Sequence, residues 1–80
     1  MTNSDKYANC FITTFGVNQS EVSSLAYQSI NEWDSVGHMA LMAQIEDEFG
    51  ISLEMDDVID FSSFQKGKEL IAKYGITFDD

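Results

Sequence analysis

The chain has no proline, no arginine and a single cysteine, Cys10. Each absence narrows what it can be. Without proline, nothing of that kind breaks or kinks a helix, and long helices are permitted throughout. A lone cysteine has no internal disulfide partner, so stability rests on packing and the expected home is the reducing cytoplasm. One histidine and one cysteine cannot build a structural zinc site, and no metal is expected. No run of about 18 or more apolar residues occurs, so no membrane-spanning helix is expected. The start, Met1-Thr2-Asn3-Ser4-Asp5-Lys6, lacks the basic-then-apolar pattern of a signal peptide.

Positive charge is also scarce. The four basic residues are Lys6, Lys66, Lys68 and Lys73, near the two ends, and the net charge is −10. Between Tyr7 and Gln65 lie ten acidic residues and no lysine or arginine. Such a surface repels the phosphates of nucleic acids and anionic membranes. It attracts basic partners and speeds their encounter. On its own, the same acidity is equally what keeps a small protein soluble. Eighty residues, 44% of them hydrophobic, are read as one folded domain spanning 1–80, monomeric, with a modest core and little room for an enclosed active site.

The periodicity is helical. Tyr7, Ala8, Phe11, Ile12 and Phe15 form one stripe, predicting a first helix over about 4–15 with Ser4 as N-cap, Asp5 in the first turn and Gly16 as the stop. Residues 16–34 read as a long connection that Val17, Val22, Leu25, Ile30 and Trp33 must pin to the core, with a short helical turn possible near 21–26. The second helix is predicted over 35–49. At 100° per residue, Leu41, Met42, Ile45 and Phe49 share the core side, and Val36, Ala40 and Ala43 fall opposite, near Asp47, with Met39 and Glu46 at the edge. An apolar strip among carboxylates on an exposed helix face can serve docking, or reflect only alanine's helix propensity and one exposed valine. Gly50 ends this helix, and Ile51 and Leu53 point inward. A short third helix over 56–61 and a last one over 64–74, capped by Ser62 or Ser63 and stopped at Gly75, complete an all-α small four-helix bundle: three main helices, one short one and a long first loop. On the last helix Leu70, Ile71 and Tyr74 form the buried face, and Lys73 suits the negative end of its dipole.

Trp33-Asp34-Ser35-Val36-Gly37-His38 opens the second helix. Asp-Ser before an apolar helix is ordinary capping chemistry. A hydroxyl there has a second use, because a helix start exposes free N–H groups and a positive dipole end that accept an attached phosphate. An unactivated serine needs a separate enzyme to supply base and metal for such an attachment.

Asp34-Ser35-Val36, followed by Met39, Leu41, Ile45, Glu46-Asp47-Glu48-Phe49-Gly50-Ile51, then Leu53, Asp56-Asp57 and Ser62-Ser63-Phe64, resembles an acyl carrier protein. The likeness runs from about Trp33 to Ile76 without gaps; the first helix and first loop match only in pattern. The resemblance implies a carrier rather than an enzyme. Ser35 would receive 4′-phosphopantetheine from coenzyme A, transferred by a holo-carrier synthase (a phosphopantetheinyl transferase). Asp34 would help to orient that transferase. Acyl groups would travel as thioesters on the arm's thiol, between acyl ligases, acyltransferases or synthases with basic docking patches. Val36, Met39, Ala43, Glu46, Asp47 and Glu48 match the family's partner-facing positions. Leu41, Ile45, Val58 and Phe61 match positions lining the core, where such bundles can shelter a chain.

Two departures bear on the pathway. Fatty-acid carriers tend to read Ser-Leu-Asp-x-Val-Glu where this chain has Ser35-Val36-Gly37-His38-Met39-Ala40, so acids are lost at Gly37 and Ala40, and Leu53-Glu54-Met55 lacks the family's usual proline. These weaken a housekeeping fatty-acid assignment and favour a stand-alone carrier in a specialised pathway, loaded by its own ligase; the pathway expected is fatty acid, polyketide or specialised lipid or saccharide modification. A peptidyl or aminoacyl carrier, or an unmodified acidic interaction module in which Ser35 is only a cap, are the alternatives.

The remaining residues of chemical interest support no catalytic reading. His38 either hydrogen-bonds the attached phosphate or is a half-buried polar residue satisfied by the loop; with no partner at matching spacing it is not a general base. Trp33 anchors the loop or shapes the entrance beside the arm, and Gly37 admits close approach or is merely tolerated. Cys10 reads as a small buried hydrophobe. Asp56-Asp57-Val58-Ile59-Asp60 has apolar residues and no glycine where a calcium loop needs oxygens and a turn, and no phosphate-cradling glycine-rich loop exists.

Overall fold

The computed structural model describes residues 2–78. Its elements are α1 (Asn3–Phe15), a 3-10 turn (Val22–Ser24), α2 (Ser35–Phe49), α3 (Met55–Asp60) and α4 (Phe64–Ala72), with no strand among the described residues. The chain is a small all-α bundle, as its helical periodicity requires.

The N-terminus of α1 corrects the expected cap. Thr2, not Ser4, is the N-cap: its hydroxyl accepts the Asp5 N–H at 3.1 Å and its own N–H donates to the Asp5 carboxylate. This reciprocal pair satisfies two donors that a Ser4 cap would have left to solvent. Ser4 therefore lies inside the first turn. Gly16 ends the helix in the left-handed conformation (φ 71°), its N–H on the Ile12 carbonyl.

α1 supplies the centre of the core. Tyr7 and Phe11 are fully buried, and their rings meet edge to face at 5.0 Å. Phe11 reaches Trp33 and Phe64, and Phe15 stacks on Trp33 at 5.4 Å. The Tyr7 hydroxyl would be stranded in this environment, but it donates to the Phe64 carbonyl at 2.7 Å. Burial, above all, drives its pKa far above the ordinary tyrosine value. Gly67 of α4 faces the same layer, where a Cβ would overlap the Phe61 ring and the Tyr7 hydroxyl. The absence of a side chain at Gly67 is thus what lets α4 close on α1.

Ser63, rather than Ser62, caps α4, its hydroxyl accepting the Lys66 N–H at 3.0 Å. The helix stops at Ala72, earlier than the expected Tyr74, because residues 73–75 close a turn that ends on Gly75 at φ 90°. Lys73 does not serve the dipole alone. Its ammonium pairs with Asp57 of α3 at 2.7 Å, and the Tyr74 hydroxyl donates to the other Asp57 oxygen at 2.5 Å. α3 itself begins at Met55 and ends at Asp60, one residue earlier at each end than expected, and Phe61 folds inward behind it, 1% exposed.

The long first loop is not slack. Val22, Leu25 and Trp33 are buried, and Val17 and Ile30 pack against the core. Two backbone bonds, Tyr27 N–H to the Ser62 carbonyl and Phe64 N–H to the Leu25 carbonyl, at 2.8 and 2.9 Å, tie it to the α3–α4 connection.

Candidate functional site

The site grows from the last turn of that loop. Gln28 takes a left-handed conformation (φ 67°), and its N–H donates to the Trp33 carbonyl at 2.9 Å. The turn drives Trp33 into the core, 0% exposed, and so fixes where the next two residues emerge. Asp34 is the N-cap of α2, with Oδ1 accepting the Gly37 N–H at 2.8 Å and its carbonyl accepting the His38 N–H at 2.7 Å. Ser35 is the first helical residue and is exposed. The N–H groups of Ser35 and Val36 have no intrahelical acceptor by geometry.

Gly37 resolves one open question. A Cβ there would overlap the Glu32 carbonyl oxygen and lie 3.2 Å from the Phe15 ring. The close approach that Gly37 admits is by the chain's own loop. That is the physical reason for losing an acid at this position.

His38 is half-buried, and both of its ring nitrogens are occupied. Nδ1 accepts the Trp33 indole N–H at 2.9 Å and Nε2 meets the Val58 carbonyl at 2.7 Å. An indole N–H only donates and a carbonyl only accepts, so the proton sits on Nε2. The ring stacks on Trp33 at 6.2 Å with an interplanar angle of 16°. His38 is thus satisfied by the loop and α3 together and has no nitrogen left to activate Ser35 or to hold a phosphate.

Beside Ser35 lies a groove of about 380 Å³ between α2 and α3, walled by Met39, Met55 and Ile59, floored by Val58 and Phe61, and rimmed by Tyr27 and Ser62. Met55 and Ile59 are 69% and 70% exposed. Sequence reasoning missed both, although their i, i+4 spacing places them on one face of α3.

The expected partner face divides. Val36 (77% exposed), Met39, Ala43, Asp47 and Glu48 are on the surface of α2. Glu46 is half-buried, and its carboxylate accepts the Leu53 N–H at 2.7 Å, holding the α2–α3 loop. Two of the three consecutive acids therefore stand free of such a structural bond. Away from this face, Lys73 first and then Tyr74 hold the Asp57 carboxyl below its ordinary pKa. Burial, with the Glu48 charge, pushes the Cys10 thiol up to about 12, which keeps it protonated and inert. No group of three or more His, Cys, Asp or Glu side chains among the described residues could hold a metal ion, and no described helix is long and apolar enough to cross a membrane.

The family model for the phosphopantetheine attachment site matches residues 10–66, most of the chain, from α1 to the first turn of α4. The chain belongs to this family. It is a phosphopantetheine-bearing carrier protein, and the prosthetic group of such carriers is covalently attached 4′-phosphopantetheine. No curated protein and no solved structure matched the carrier. The residues present fit the group: an exposed hydroxyl, free N–H groups at the positive end of a 15-residue helix, and an apolar groove opening beside them.

Proposed function

We propose that Ser35 is the attachment residue and that the protein shuttles acyl thioesters between separate enzymes. The single observation that carries this reading is the exposed Ser35 hydroxyl at the start of α2, opening onto the groove inside the matched region. In the transfer, the Ser35 oxygen attacks the phosphorus next to pantetheine in coenzyme A. The phosphoanhydride bond breaks, adenosine 3′,5′-bisphosphate leaves, and the serine proton passes to a base on the transferase. That base must be foreign, because His38 is engaged on both nitrogens. When bound, the group supplies a thiol that holds an acyl cargo as a thioester. The chain's own residues position the hydroxyl through Asp34 and Trp33 and keep a lysine-free helix face beside it.

The face formed by Val36, Met39, Ala43, Asp47 and Glu48 docks the transferase and the loading enzymes, which meet it with basic residues around an apolar contact. Glu46 contributes by shaping the exit of α2. The glycine at 37 and the alanine at 40 set this face apart from the fatty-acid pattern and favour a stand-alone carrier of a specialised pathway. The test is intact mass after incubation with coenzyme A and a broad-specificity phosphopantetheinyl transferase. One phosphopantetheine should add to the wild type and none to Ser35→Ala; equal addition to both, or to neither, rejects Ser35 as the site.

A further inference from the structure

Among the residues lining the groove beside Ser35 is one that holds two hydrogen bonds, the His38 imidazole. It stands with Met39 and Ile59 in the groove lining. Its ring is pinned from one side by the Trp33 indole at 2.9 Å and from the other by the Val58 carbonyl at 2.7 Å. Behind it the core is filled with rings. Trp33 is fully buried and Phe11 lies 5.5 Å beyond the indole, while Phe61, on the groove floor, stands edge-on to the imidazole at 6.1 Å.

A flexible chain that pushed further in would have to swing His38 aside. Both hydrogen bonds would break at once. The indole N–H and the Val58 carbonyl would then lose their partners inside the bundle, which is the expensive way to lose a hydrogen bond. Burying several methylenes would be needed merely to offset that loss. The groove of about 380 Å³, at the roughly 30 Å³ that a water-sized group occupies in a liquid, has room for about a dozen non-hydrogen atoms. These must include whatever part of the arm enters it.

We infer that this carrier takes short acyl cargo and that His38 sets the limit, by barring passage from the groove beside Ser35 into the core. The inference rests on Ser35 bearing the arm. His38 is on this view a specificity-determining residue that acts by its position and its two hydrogen bonds, with no part in the chemistry of the thioester.

The test is a chain-length series. Acetyl, butyryl, octanoyl and dodecanoyl arms are installed on the full chain from the corresponding coenzyme A thioesters, with intact mass confirming each. Failure to load at any length would reject Ser35 as the carrier site and is seen before lengths are compared. In the loaded wild type, the thermal midpoint should stop rising beyond butyryl, and the Trp33 indole N–H resonance should hold its position from butyryl to dodecanoyl. In His38→Ala, the midpoint should keep rising through octanoyl. His38→Gln, which retains a donor and an acceptor, should restore the wild-type plateau. A midpoint in the wild type that climbs steadily to dodecanoyl, or an indole resonance that shifts with each added length, overturns the inference. The wild-type series decides this even if His38→Ala does not fold. Equal chain-length profiles in folded His38→Ala and the wild type overturn the role of His38.

Discussion

Replacing Gly37 by alanine separates a packing role from a merely tolerated glycine. On an isolated helix the change is favourable by about 1 kcal/mol, since alanine is the better helix former. Here the new methyl would sit inside the Glu32 carbonyl oxygen, 3.1 Å from its carbon and 3.2 Å from the Phe15 ring. A backbone carbonyl cannot rotate away as the end of a long side chain can. The loop would have to move outward, yet the next residue, Trp33, is fully buried, bonded to His38 and tied through its carbonyl to Gln28. Overpacking of this kind costs about 1–3 kcal/mol, and the rigidity of the obstacle favours the upper end. The net expectation is a loss of about 1–2 kcal/mol, or a fall in thermal midpoint of roughly 5–15 °C for a domain this size. Thermal unfolding followed by circular dichroism measures it. Trp33 emission should shift to longer wavelength, because the displaced loop draws the indole toward water. An alanine variant as stable as the wild type, or more so, with unchanged Trp33 emission, would refute the argument that loop contact dictates this glycine.

Two further outcomes follow from the same geometry. Asp57 has a depressed folded pKa, Lys73 being the main cause, so its contribution to stability is fully present above the unfolded value of about 3.9 and is lost as pH falls through the lower folded value; urea midpoints should drop across that acid window in the wild type and less in Asp57→Asn. Charge reversal of Asp47 and Glu48 to lysine should slow modification of Ser35 by the transferase in a salt-dependent manner while changing stability by only about 0.5 kcal/mol, whereas Glu46→Lys should also destabilise the fold, because the Leu53 N–H loses its acceptor; equal stability losses in both variants would contradict this division of the acids.

The sequence made α2 legible to the residue because both of its ends carry local signals: an aspartate cap at Asp34 and a left-handed glycine at Gly50. α1 was harder to bound, since Thr2, Asn3 and Ser4 are all acceptable caps and only the return bond from Asp5 selects Thr2. The end of α4 depended on a tertiary contact: Lys73 and Tyr74 are drawn off the helix axis toward Asp57, which is 16 and 17 positions away. At the site, the exposure of Ser35 and the cap by Asp34 follow from local chemistry. The groove and the pinned His38 in its lining do not. They need Trp33, His38 and Val58 to converge from a loop and two helices, and no periodicity encodes a hydrogen bond that spans 20 residues. Gln28 in the left-handed region carried no local signal either, whereas Met55 and Ile59 were readable from their i, i+4 spacing and were overlooked.

α3 is only six residues long and has no side-chain cap, and an isolated helix of that length has no stability of its own in water. It persists because it is fastened from outside at two consecutive residues, by Lys73 and Tyr74 on the Asp57 carboxylate and by His38 on the Val58 carbonyl, and because Val58 packs into the core. One wall of the groove therefore holds its shape only through residues supplied by α2, by the end of α4 and by the core, so the groove is a property of the whole bundle and not of α3 alone.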